Sequence, residues 1–293
     1  MDLFVGSLLN GVAYGTLYGL LGFAIVLLYK STGIANFGQG NLGTLAVFVV
    51  FAFAVRQEMN LWVAVVLGFL GAAAAGALSY LLVIRPRDTA DHLNTTMRTL
   101  GLYLLLFAVV NYEFAVGQPF NFPTIFPDSR AFTIGGNGVT WTTIGTLSVA
   151  LLLSASFAWF FRRTSLGLLF LGMASRPEIA ELMGVRIRRL TLFAWTAAAC
   201  VSLVVALSIA PVALLTSDMM DPFLLLAFTA AILGGLTSMV GVFLGGLVIG
   251  VLDNMVTVYS NSDSAMLSVF ALLIVVLLVK PEGLLGTKST ERL

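Results

Sequence analysis

Residues 223–259 read FLLLAFTAAILGGLTSMVGVFLGGLVIGVLDNMVTVY, an apolar run with a single formal charge, Asp253, and six glycines at 234, 235, 241, 245, 246 and 250. At 1.5 Å per residue such a run makes roughly 55 Å of helix, short of the roughly 60 Å that two perpendicular crossings of a ~30 Å hydrocarbon core require. One of the two limbs is therefore short or re-entrant, with the break at Thr237-Ser238. Interrupted helices expose backbone groups where transporters contact solute, which makes Gly234, Gly235, Thr237 and Ser238 candidates for a translocation pathway. The competing reading treats the glycines, like Gly11, Gly15 and Gly19 near the start of the chain, as close-packing faces between helices.

The rest of the chain is of the same kind. Of 293 residues, 59% are hydrophobic and 10% charged, and the mean hydropathy is +1.02, far outside the range of soluble domains. Further apolar runs cover 3–29, 36–55, 61–84, 93–116, 140–161, 191–215 and 264–279. They are continuous rather than alternating, so helices are expected and a barrel is not. The fold class is an all-α integral membrane protein of about 8–9 spans, including the broken glycine-rich hairpin, in one transmembrane domain over 1–293. The first run is too long for a signal core and lacks a basic start, so it reads as a permanent span.

Lys30, Arg85, Arg87, Arg98, Arg162, Arg163, Arg176, Arg186, Arg188, Arg189, Lys280, Lys288 and Arg292 fall in connections that alternate with those holding Arg56 and Arg130. Placing the larger set in the cytoplasm leaves the N-terminus outside and the C-terminus inside. An odd number of crossings follows.

The longest basic connection, 162–190, contains Ser175-Arg176-Pro177-Glu178. This is a capping box, with Ser175 as N-cap, Glu178 at N3, and Pro177 where its missing N–H costs nothing. A short helix of about eight residues is expected, ended by Gly184 in the left-handed conformation. Ile179, Leu182 and Met183 share one face, while Glu178 and Glu181 point elsewhere. Spacing leaves two uses for such a peg: lying on the headgroups, or inserting into a groove on a soluble partner.

Four stretches together resemble the permeases of branched-chain amino-acid (LIV-type) ABC transporters. They are RPEIAELMGV at 176–185, STGIANFGQG at 31–40, ILGGLTS at 232–238 continuing through 241–250, and KPEGLLG at 280–286. The likeness implies a polytopic permease moving a small polar solute inward across a bacterial inner membrane. It implies that Ser175, Arg176, Pro177, Glu178, Ile179, Ala180, Leu182, Met183 and Gly184 form the coupling segment for two cytoplasmic ATPases. An extracytoplasmic solute-binding protein and a second, paralogous permease complete the implied assembly. ATP is then used by the partner chains, and no cofactor is expected in this one. Many members carry a histidine and a carboxylate where this chain has Gln39 and Asn41, which leaves room for urea or a short amide as an alternative solute.

Each polar group in a span calls for its own reason, because a charge at mid-bilayer costs about 2.5–3.5 kcal/mol. Asn36, Gln39, Gly40 and Asn41 open the second span, where amides and free helix N–H groups can meet a solute, or where Asn36 can cap the helix. Asp253 has a pathway reading and an interhelical hydrogen-bond reading. Glu113, near a helix end, snorkels to the interface or lines an outer gate. The connection 117–139, with Pro119, Pro123 and Pro127 among phenylalanines, suits a rigid surface loop that anchors at the interface or receives the binding protein.

Other functions lack their residues. The only histidine, His92, and the only cysteine, Cys200, cannot build a metal cluster or a triad. GLLGTKS at 283–289 lacks the adjacent Gly-Lys of a phosphate loop. A stand-alone secondary transporter would want ionisable groups at mid-depth, and the apolar runs hold almost none.

Overall fold

The computed structural model describes residues 2–84, 92–114, 117–124, 126–127, 129–134, 137–175 and 177–286. Among them the chain forms eleven α-helices and one two-stranded hairpin: α1 (Asp2–Thr32), α2 (Gln39–Phe51), α3 (Leu61–Leu78), α4 (His92–Glu113), β1 (Arg130–Ile134), β2 (Asn137–Thr140), α5 (Trp141–Arg163), α6 (Ser165–Ser175), α7 (Pro177–Leu182), α8 (Ile187–Ala213), α9 (Asp221–Gly234), α10 (Met239–Tyr259) and α11 (Ser262–Val279). The ends of α2 and α3 continue as π-helical turns, Ala52–Arg56 and Ser79–Ile84. Among the described residues, seven helices are long and apolar enough to cross a membrane. The 23-residue α5 has the length of a span. The 14-residue α9 does not, so it is the short limb of the hairpin expected from 223–259.

Two elements were not expected. The run Leu166–Gly172 does not belong to a loop; it extends into α6, and helix persists through Ser175. Ser175 is therefore the last residue of α6 rather than an N-cap preceded by coil, because the apolar sequence before it already supports helix. Arg176, and the side chains of the expected capping box, lie outside what is described. The other element is the antiparallel pairing of β1 with β2, which converts part of the proline-rich connection into a hairpin.

The chain divides into two compact units. The first comprises Met1–Val26, Thr124–Ser154 and Phe223–Leu293. Here α1 and α10 approach through glycines: a Cβ on Gly250 would clash with Gly15 Cα, and one on Gly246 with the Gly19 nitrogen. Without water to drive helices together, such close van der Waals packing is the main source of association in lipid. The packing reading of these glycines is the one the geometry bears out.

The second unit comprises Leu27–Pro123 and Ala155–Pro222. Its centre is the mutual packing of α2, α3 and α8 around fully buried Trp195, Phe48 and Leu203. Small residues again set the distance. A Cβ on Gly43 would stand 2.6 Å from Ser202 O, and one on Gly76 2.6 Å from Trp195 O.

Candidate functional site

The segment entering α2 is a hydrogen-bonded knot. Gly33 ends α1 at φ 74, with its N–H on Tyr29 O at 2.8 Å. Asn36 Oδ1 then accepts from Gly38 N at 3.0 Å, while its Nδ2 donates to Gln39 Oε1 at 3.0 Å. Gln39 Nε2 donates to Ala198 O at 2.9 Å and Ser202 Oγ at 2.7 Å, tying α2 to α8. Asn36, Gln39, Gly40 and Asn41 are all buried, and Gln39 is 0% exposed. The amide of Gln39 is spent on the fold. Asn41 is different: Nδ2 donates to Tyr103 O at 3.0 Å, but Oδ1 is buried with no hydrogen-bond partner.

The glycine-rich hairpin is built on α9, a turn at 235–238, and α10. Gly235 adopts φ 100, and Ser238 caps α10 by accepting from Gly241 N at 3.0 Å. The break thus falls at the Thr237-Ser238 pair chosen from sequence. The last carbonyls of α9 have no partner within a helix. The C-terminal KPEGLLG segment supplies it: Leu284 N donates to Leu233 O at 2.7 Å and Leu285 N to Gly234 O at 3.1 Å. Gly283, at φ 82, allows the chain to reach that position. Gly234 and Gly235 are therefore packed under the chain's own C-terminal segment. In the same unit, Asp253 of α10 accepts from Tyr18 Oη of α1 at 3.2 Å, and Tyr18 packs on Phe223.

The peg is the six-residue α7. It ends in a Schellman motif: Val185 N donates to Ala180 O at 3.0 Å and Gly184 N to Glu181 O at 2.9 Å, with Gly184 at φ 82. Ala180 is buried beneath it, while Leu182 and Met183 are 89% and 81% exposed. Gly184 performs the role its position predicted, and the motif ends the helix at Leu182.

Sequence reading passed over the joint between α8 and α9. Helix α8 ends at Ala213, and Leu214 takes φ 61, ψ 151. The connection 117–120 clasps this joint. Phe120 and Leu215 exchange backbone hydrogen bonds at 3.1 and 2.9 Å, and Gln118 Oε1 accepts from Ser217 N at 2.9 Å. Phe120 stacks on Phe51 at 4.9 Å, with the Arg56 guanidinium near both rings and donating to Phe114 O. Asp221 opens α9, and its Oδ2 accepts from Tyr103 Oη at 2.9 Å. The pair Asp221-Pro222 was the available signal, since Asp followed by Pro marks a helix start.

Comparison with known proteins agrees with this architecture. The family described as "Branched-chain amino acid transport system / permease component" matches residues 7–279. The high-affinity branched-chain amino acid transport system permease protein LivH of Salmonella typhimurium is 26% identical over 307 aligned positions, covering 99% of this chain and 97% of LivH. BraD of Pseudomonas aeruginosa, described in the same words, is 25% identical, covering 99% and 98%. A probable LivH of Methanocaldococcus jannaschii is also 25% identical, covering 100% and 96%. Among solved structures, PsaBC from Streptococcus pneumoniae in complex with Fab aligns with TM-score 0.51 at 13% identity over 93% of this chain and 91% of that one, a likeness of fold alone. The full-length family match, on a polytopic helical chain with a broken glycine hairpin, places this protein in the branched-chain amino acid transport system permease family.

Proposed function

We propose that the chain is the permease of an ABC importer that carries a branched-chain or similar amino acid inward, with ATP hydrolysed by separate cytoplasmic subunits. The observation that carries this reading is α7, whose last residue Leu182 and the following Met183 stand exposed at a glycine-locked helix end. An apolar tip on a short rigid peg fits a groove on a soluble partner. The segment 175–184 is thus the coupling element, transmitting the partner's motion to α6 and α8 on either side.

The arrangement of basic residues supports an N-terminus outside and a C-terminus in the cytoplasm, in a bacterial cell membrane. The hairpin turn at 235–238 and the C-terminal segment it binds then face the ATPases as well. An extracytoplasmic binding protein delivers the solute, and a second permease chain completes the assembly; of the residues at the entry of α2, Asn41 is the one that keeps an unmet acceptor for the pathway. The substitution of Gln39 for a charged residue no longer argues for a neutral solute, because that amide bonds Asn36, Ala198 and Ser202.

The test is purification of the tagged chain with its native partners, followed by leucine uptake in proteoliposomes. ATPase subunits should accompany the wild type, and Leu182→Glu should abolish both association and uptake. A chain that purifies alone and still transports would overturn the reading.

A further inference from the structure

We propose that Asp221 is a solute contact at mid-depth, taking the ammonium group of a zwitterionic amino acid; this rests on the importer reading above. Depth is the first ground. Tyr103 is at the middle of α4, about 16 Å from either end at 1.5 Å per residue. Its hydroxyl donates to Asp221 Oδ2 at 2.9 Å, so the carboxylate stands within one tyrosine length of the midpoint of a span. Ionisable groups at that depth are costly and mark solute or ion pathways.

The chain path is the second ground. Helix stops at Ala213 and resumes at Asp221, so the carboxylate sits on a break between helices, where the backbone is free to face a polar guest.

Unfilled valence is the third ground. Asp221 Oδ1 is buried without a hydrogen-bond partner, and so is Asn41 Oδ1. Asn41 is 1% exposed, with its amide on the main-chain carbonyl of Tyr103, whose hydroxyl at the other end of the residue meets Asp221. Buried acceptors are ordinarily met. Each of these oxygens is an acceptor and calls for a hydrogen-bond donor. Asp218 lies in the same joint and acts on Asp221 as a second negative charge. A neutral amide would satisfy Asp221 Oδ1 and leave that charge unbalanced. An ammonium group does both, and the charge-assisted bond is the stronger one.

The test uses the assembled permease–ATPase complex, without the binding protein, in thermal-shift titrations with two probes at millimolar concentration. These are 3-methylbutylamine, which carries only the ammonium, and 4-methylpentanoate, which carries only the carboxylate. The amine should raise the melting temperature of the wild type, and Asp221→Asn should lose that shift at least tenfold in half-saturating concentration. Tyr103→Phe should keep or strengthen it, since it removes a competing donor, a direction that mere structural damage would not produce. In proteoliposomes with the binding protein, Asp221→Asn should lower leucine uptake per ATP hydrolysed. Equal amine shifts in wild type and Asp221→Asn, no amine shift in the wild type, or loss of the shift in Tyr103→Phe would each overturn the assignment. Failure of the wild-type complex to import any amino acid would instead sink the importer reading itself.

Discussion

Gly283 lies against Gly235 with no room for a side chain between them: a Cβ on Gly283 would stand 2.6 Å from the Gly235 nitrogen and from Ile232 O. Both residues also hold positive φ, at 82° and 100°. Alanine at either site meets two penalties, about 1–2 kcal/mol for the left-handed backbone and a further cost for the clash with main-chain atoms. Gly235→Ala and Gly283→Ala should each lower the melting temperature in detergent. Because both break one contact, the double variant should lose less than the sum of the two. Additive losses would show that the C-terminal segment and the hairpin turn are energetically separate.

The α1–α10 contact predicts a sharper contrast. On Gly250 a Cβ would run into both Gly15 Cα and Gly15 N, whereas on Gly101 of α4 it would meet nothing within 4 Å. Gly250→Ala should reduce the amount of folded protein recovered from membranes severalfold. Gly101→Ala should leave it unchanged or gain up to about 1 kcal/mol from helix propensity. Fluorescence-detected size exclusion of the two variants side by side decides the matter.

Much of this was legible in the sequence because the signals are local. Continuous apolar length gave the spans, Thr237-Ser238 gave the break, and Gly184 gave the end of the peg. What stayed hidden depends on partners far along the chain. Nothing near Gln39 announces that its amide will reach Ala198 and Ser202, and nothing near Lys280 announces that 283–286 will cap α9. The α6 helix was missed for a different reason: the basic residues around 162 and 186 made the whole interval read as a connection, although Leu166–Gly172 is as apolar as the spans.

The knot at the start of α2 predicts a stability effect separable from specificity. Gln39→Ala removes one side chain and strands the Asn36 amide nitrogen and the Ser202 hydroxyl in a buried setting. An unmet buried polar group costs about 1–3 kcal/mol. The variant should therefore melt well below the wild type, while Ser202→Ala, which leaves Gln39 bonded to Ala198 O, should cost only about 1 kcal/mol. If Gln39 instead contacts solute directly, Gln39→Ala would change the ranking of amino acids in competition uptake while leaving the melting temperature intact.

The peg offers a way to separate folding from energy transfer. Gly184→Ala strains the Schellman turn by about 1–2 kcal/mol, but it leaves Leu182 and Met183 in place. Leu182→Glu does the reverse, since the residue is 89% exposed and makes little contribution to the chain's own packing. In reconstituted transporter, Leu182→Glu should keep the melting temperature of the permease and lose stimulation of ATP hydrolysis by the loaded binding protein. Gly184→Ala should lower the first and only weaken the second. A Leu182→Glu variant that hydrolyses ATP and imports solute at the wild-type rate would remove α7 from the coupling path, and the hairpin turn at 235–238 would become the element to mutate next.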